Sequence, residues 1–255
     1  MDQISTARRL HERFKRCEKF NFLSIPLKIP IHITHDAAVA FIIRESNNGD
    51  LWVLLTKRVD SLSSHAGDVC LPGGMYDQSD HNLVNTALRE TKEEVGINPE
   101  DLQYISTLPP YLAGHGGKTL IAAVGVTPVV FWLKRNVEVY LNASEAEVAF
   151  WTPLDFFLST QHHNTITTIL PSRHKFTIVM LDYYDPPSQS TFLIYGCTAN
   201  ICVTVSSIAL NRSPEFPFTG MGMYWYEKEL VLAEVSRTTL NSTSDYKPHT
   251  IKCKL

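Results

Sequence analysis

The chain has 255 residues, 44% hydrophobic, 19% charged and 10% aromatic, with 12 Gly and 14 Pro. This is the composition of one large globular domain with extensions, and it excludes collagenous, low-complexity and wholly disordered classes. With 23 basic residues against 26 acidic ones the net charge is -3, so no bulk attraction to nucleic acid is expected.

In chain order, the first twenty residues place Leu10, Phe14, Cys17 and Phe20 at helical spacing among Arg8, Arg9, Arg13, Lys15 and Arg16. The result is a basic amphipathic helix within an N-terminal extension, 1–32. Asp2, Glu12 and Glu18 suit a surface helix capping a domain better than a mitochondrial presequence. Ala37 to Arg44 predicts a buried strand, Ser46 to Asp50 a turn and Leu51 to Arg58 the returning strand of a hairpin. After a loop of small residues from Val59 to Asp80, a helix is expected from Asn82 to Val95. Ser79 or Asp80 is placed to cap its start and Gly96 its end. Strands are expected at Leu120–Val130, Val137–Leu141 and Lys175–Leu181, a short helix at Pro153–Ser159 and a longer one at Ala199–Ala209. This mixture is α+β. The Ser/Thr-rich end, 236–255, reads as a flexible tail, with 211–235 packing on the domain.

Cys17, Cys70, Cys197, Cys202 and Cys253 have unrelated spacings and no C-x-x-C pair, so a reducing compartment is expected. The Asn-x-Ser/Thr matches at Asn142, Asn211 and Asn241 read as unglycosylated, because no apolar h-region opens the chain. The longest apolar stretch, Leu120 to Leu133, is interrupted by Thr127 and Pro128 and is too short for a helical membrane span.

The informative helix is LVNTALRETKEEVG. Glu90, Glu93 and Glu94 stand at i, i+3 and i+4 and share a face, while Leu83, Ala87, Leu88, Thr91 and Val95 cover much of the other. Carboxylates so packed repel one another. Such a face is either solvated or holds a hard cation that takes carboxylate oxygens and shares them with a phosphate. The Pro-Gly-Gly turn before the helix allows close backbone approach to an anion.

Gly74 to Ile97, with R-E-T-K-E-E-V-G-I at 89–97, resembles the Nudix box, G-x5-E-x7-R-E-U-x-E-E-x-G-U with U aliphatic. Gly74 and Arg89 are one residue further apart than in that pattern, Asp80 fills the first acidic position, and Thr91 fills an aliphatic one. The longer spacing resembles the coenzyme A-cleaving subfamily. Its signature L-L-T-x-R-[S/A]-x3-R-x3-G-x3-F-P-G-G is met from Leu54 to Gly74, with Val59, Ser63 and Leu71 as the substitutions. Ile194 to Ile201 is similar to a G-x-T-A stretch of these hydrolases.

The resemblance implies an α+β Nudix fold, an α/β/α sandwich with a mixed sheet and a central Nudix helix, over 33–210. It implies an enzyme acting on phosphorus-containing anhydrides, hydrolysing the pyrophosphate of coenzyme A or acyl-coenzyme A. The products would be 3',5'-ADP and 4'-phosphopantetheine or its acyl form. Mg²⁺ or Mn²⁺ would be held by Glu90, Glu93 and Glu94, with Arg89 orienting the glutamates. Arg58, His65, Gly73 and Gly74 would contact substrate, and Glu145 or Glu147 would supply a base outside the helix. Trp151, Tyr104 and Tyr111 are candidates for stacking on adenine. Ser63 in place of Arg keeps open another nucleoside diphosphate derivative, such as ADP-ribose or NADH. A catalytically weak coenzyme A binding module is the reading from a different class. Cys253-Lys254-Leu255 resembles the Ser-Lys-Leu address read by the peroxisomal import receptor, so a peroxisomal location is expected, with mitochondrion or cytoplasm as alternatives.

Overall fold

The computed structural model describes residues 3–18, 33–61, 65–114, 123–169 and 175–218. Ser63 and the C-terminal tripeptide lie outside them, as do Phe20 and the segments 219–235 and 236–255.

The expected hairpin forms as β1, Ile33–Glu45, and β2, Leu51–Arg58. Its turn places Gly49 at φ 88, where a side chain would be strained, and closes with Ser46 N–H donating to Asp50 O at 2.8 Å. Short strands β3, Val69–Cys70, and β4, Gly73–Met75, pair with β2 and β1. Helix α2, Leu83–Val95, follows, and then β5, Leu102–Thr107, β6, Tyr111–Gly114, and β7, Ala123–Leu133. β7 runs parallel to β1 and antiparallel to β5 and β6. With β8, Ala146–Pro153, on the far side of β2, these strands form a mixed sheet whose main order is β3-β2-β1-β7-β5.

β1 reads as an almost unbroken apolar run because both of its faces are covered. Ala38, Ala40 and Ile42 face α2 and pack with Leu54, Ala87 and Val95. Phe41 and Ile43 face the other way, into a core shared with three further elements. The first is α1, Gln3–Glu18, which buries Ala7, Leu10 and Phe14. The second is α3, Gly196–Leu210. The third is a separate antiparallel sheet of β9, His163–Ile169, β10, Lys175–Asp185, and β11, Ser190–Tyr195. This α+β arrangement of helices around a mixed sheet is the expected fold. No helix among the described residues is long and apolar enough to cross a membrane.

Several elements differ from expectation. Val137–Leu141 is not a strand. Val137, Val139 and Leu141 pack beside α2, and Tyr140 N–H bonds Val95 O at 3.0 Å, so the alternation serves a segment strapped to the helix. The short helix is a 3₁₀ turn, Leu154–Leu158. α2 is capped by Asn82, whose side chain accepts from Asn85 N–H at 3.0 Å. Asp80 cannot serve there because Arg89 holds it. Gly96, at φ 71, ends the helix and returns its N–H to Lys92 O at 3.1 Å.

Candidate active site

α2 lies on the sheet through Ala87, Thr91 and Val95, spaced four residues apart. At about 100° per residue, Glu90 and Glu94 then point along one side of the contact and Glu93 points away. Glu94 is 3% exposed, whereas the Glu93 side chain is 51% exposed. Glu90 and Glu94 meet Glu145 from the segment before β8, and one carboxylate oxygen of each lies within 4.8 Å of the others. The cluster is thus Glu90, Glu94 and Glu145, whereas the helix spacing alone had grouped Glu93 with Glu90 and Glu94. Glu93 instead pairs with Arg89 at 3.1 Å.

Glu147 is also placed apart. Residues 145 and 147 of a regular strand would share a face, but the β2–β8 register shifts between Lys57 and Arg58. Glu147 is half-exposed and bound to Lys57 Nζ at 2.8 Å, so its charge is already paired.

Arg89 is the organiser of this helix face. Its Nε and Nη2 donate to the two oxygens of Asp80 at 3.0 and 2.9 Å, and Nη2 also donates to Met75 O at 3.1 Å. Its Nη1 donates to Glu90 at 2.7 Å and Glu93 at 3.1 Å. Five donors meet five acceptors, a pattern only a guanidinium can complete. Asp80 is further fixed by Thr86 Oγ1 at 2.9 Å, and the Arg89 hydrogen bonds hold its carboxyl far below the usual range.

Gly73 and Gly74 serve the carboxylates. A Cβ at Gly73 would stand 2.3 Å from Ala38 O, so β4 approaches β1 closely only with glycine there. The Gly73 N–H donates to Glu94 Oε2 at 3.2 Å. A Cβ at Gly74 would stand 2.5 Å from the Glu90 carboxyl carbon. Gly74→Ala therefore leaves the backbone intact but forces Glu90 out of place. We expect turnover to fall about tenfold with an unchanged melting temperature, measured side by side, because positioning of reacting groups is steeply sensitive to ångström shifts.

Burial raises the Glu94 carboxyl to about 8, against the Gly73 hydrogen bond and the Arg58 charge, with Glu90 and Glu145 adding to the rise. Burial also raises Glu90. Three hard oxygen donors converge where negative charge is disfavoured, and this donor set fits a divalent cation such as Mg²⁺ or Mn²⁺. Arg58 Nη1 lies 3.8 Å from Glu94 Oε1, and its buried Nε has no hydrogen-bond partner among the described residues.

The other candidates are spread around this centre. His65, at φ 55, bonds Asp68 Oδ2 at 3.0 Å, and Asp68 Oδ1 accepts from Tyr195 OH at 2.7 Å. That loop borders a cleft of about 580 Å³ whose far wall includes Ile166, Ile178, Met180 and Leu193. Tyr111 is buried with its hydroxyl donating to Thr204, which removes it as a stacking platform. Trp151 is covered by the Arg44 guanidinium at 3.9 Å, and Tyr104 packs edge-on to Phe131.

Helix α2 and the turn before β8 thus bring three carboxylates together beside the glycine strand β4, and the family match makes the protein a hydrolase acting on pyrophosphate bonds. The chain belongs to the Nudix hydrolase family, and the NUDIX domain model matches residues 34–172. It is 36% identical over 171 residues to the peroxisomal coenzyme A diphosphatase NUDT7 of Mus musculus, covering 67% of this chain and 69% of that one. It is 34% identical over 187 residues to the peroxisomal coenzyme A diphosphatase ndx-8 of Caenorhabditis elegans, covering 72% and 73%. It is also 33% identical over 182 residues to the mitochondrial Nudix hydrolase 15 of Arabidopsis thaliana, covering 71% and 60%.

Proposed function

We propose that this enzyme hydrolyses the pyrophosphate of coenzyme A or an acyl-coenzyme A, giving 3',5'-ADP and 4'-phosphopantetheine or its acyl form. The observation that carries the reading is the convergence of Glu90, Glu94 and Glu145 beside Arg58, at the end of a segment matching the coenzyme A signature. The names of the mouse and nematode relatives support it. Glu90, Glu94 and Glu145 would hold Mg²⁺ or Mn²⁺. A divalent cation there neutralises phosphate charge and lowers the pKa of water. Arg89 fixes Glu90, the Gly73 amide fixes Glu94, and the fork of Arg58 is available to a phosphate oxygen. The apolar cleft beside His65 and Asp68 supports room for the pantetheine or acyl arm.

The ending Cys253-Lys254-Leu255 and the peroxisomal relatives support import into the peroxisome. The reaction is tested by incubating the protein and Mn²⁺ or Mg²⁺ with coenzyme A, acyl-coenzyme A, ADP-ribose and NADH. We expect release of 3',5'-ADP from a coenzyme A species at the highest kcat/KM. Faster cleavage of ADP-ribose or NADH would overturn the substrate, and no cleavage of any would leave a binding module.

A further inference from the structure

The third carboxylate of the cluster does not sit on a helix or strand. Glu145 belongs to the turn 142–145, and nearly every polar group of Asn142 acts on that turn. The Asn142 N–H donates to Glu94 O at 2.9 Å, so the turn is hung from the residue that carries another carboxylate of the cluster. The Asn142 carbonyl accepts from Glu145 N–H at 2.9 Å and Ala146 N–H at 3.0 Å. Its Oδ1 accepts from Ser144 N–H at 3.2 Å and Ser144 Oγ at 2.7 Å, and its Nδ2 donates to Glu145 Oε1 at 3.1 Å. The side-chain amide has one orientation that satisfies this set, since a carboxylate only accepts and the Ser144 N–H only donates. On its other side the turn is tied to the end of β2 by Val59 N–H donating to Glu145 O at 3.1 Å.

We propose that Asn142 is a positioning residue that holds the Glu145 carboxylate in the geometry a divalent cation requires. This rests on the cation reading of the cluster given above. The chemistry of the partner is the point. Glu147, two residues on, is held by the Lys57 ammonium, which cancels its charge. Glu145 is held by a neutral amide N–H, which fixes the rotamer without placing a competing cation beside it. Asn142 also begins one of the Asn-x-Ser triplets of the sequence, and its amide nitrogen is engaged inside the protein rather than presented for modification.

Asn142→Ser keeps a short oxygen able to accept from Ser144 N–H but cannot reach Glu145. The test uses the full chain, with Mn²⁺ as probe and free Mn²⁺ followed by its paramagnetic resonance signal, alongside melting of the metal-free protein. We expect Mn²⁺ affinity to fall about tenfold in Asn142→Ser, the size typical of lost outer-sphere partners, with kcat reduced and the substrate KM unchanged at saturating Mn²⁺. The metal-free melting temperature should stay at the wild-type value. Asn142→Thr serves the same measurement if Asn142→Ser does not fold. Wild-type Mn²⁺ affinity in the Asn142 variant, with affinity lost in Glu145→Gln, would overturn the role of Asn142 and leave the cation site standing. Wild-type affinity in Glu145→Gln would overturn the cation site itself. A loss of affinity matched by a large drop in melting temperature would mark Asn142 as structural only.

Discussion

Glu94→Gln is expected to lower turnover by about 10³-fold, equivalent to about 4 kcal/mol of transition-state stabilisation, while the protein stays folded. The amide is nearly the same shape, and its oxygen still accepts from the Gly73 N–H, so the lost item is the charge. The metal-free stability should move in the opposite direction. The Glu94 carboxyl is raised from 4.5 to about 8, chiefly by burial, so the folded state binds its proton more tightly than the unfolded chain does. That contribution is fully present below about pH 4.5 and is lost as pH rises through about 8. Without metal, wild type and variant should therefore diverge between those limits, with the variant the more stable above pH 8 and a ceiling of about 5 kcal/mol. Adding Mn²⁺ should restore wild type alone. More than a tenth of wild-type activity in Glu94→Gln would remove Glu94 from the proposed cation site.

Asp80→Asn is the largest expected loss of stability, about 3 kcal/mol at pH 7, read from chemical denaturation. The Asp80 side chain is 5% exposed and takes two guanidinium donors, the Thr86 hydroxyl and the Asp77 N–H. Asparagine turns an amide NH₂ toward Arg89 donors and leaves the guanidinium without its main counter-charge. The folded carboxyl lies below its ordinary value of 3.8, chiefly through the Arg89 hydrogen bonds. Its contribution is therefore present above about pH 4 and disappears as pH falls through the folded value. The gap between wild type and Asp80→Asn should narrow in acid. A gap that persists unchanged at pH 3 would mean the ion pair contributes little.

The legible parts of this chain are those where local pattern and tertiary role agree. The β1–β2 hairpin was readable because an apolar run, a Ser-Asn-Asn-Gly-Asp turn and a second apolar run occur in sequence, and α2 because Gly96 and the four-residue spacing mark it. β9 and β11 were not, because HNTITTI and STFLIY sit in polar surroundings, and the pairing with β10 selects them. In the site, Glu90 and Glu94 follow from the helix period. That Glu145 lies beside them while Glu93 turns to Arg89 does not, because it depends on which way α2 is rolled by Ala87, Thr91 and Val95. Separating Glu145 from Glu147 needs the register shift opposite Arg58, and no spacing in the sequence records it.

Helix α1 is part of the domain that follows it. Its apolar face is used up on the domain: Ala7, Leu10 and Phe14 are buried with Ile105, Leu108 and Trp132, and the Arg13 guanidinium donates to Ala209 O at the end of α3. Leu10 and Phe14 alone each contribute roughly 1.5–3 kcal/mol to the fold. In this fold that face is hidden once the chain is folded, and discarding it would uncover the core beneath. A chain lacking residues 1–18 is therefore expected to expose Ile105, Leu108 and Trp132 to water and to lose a tie to the end of α3.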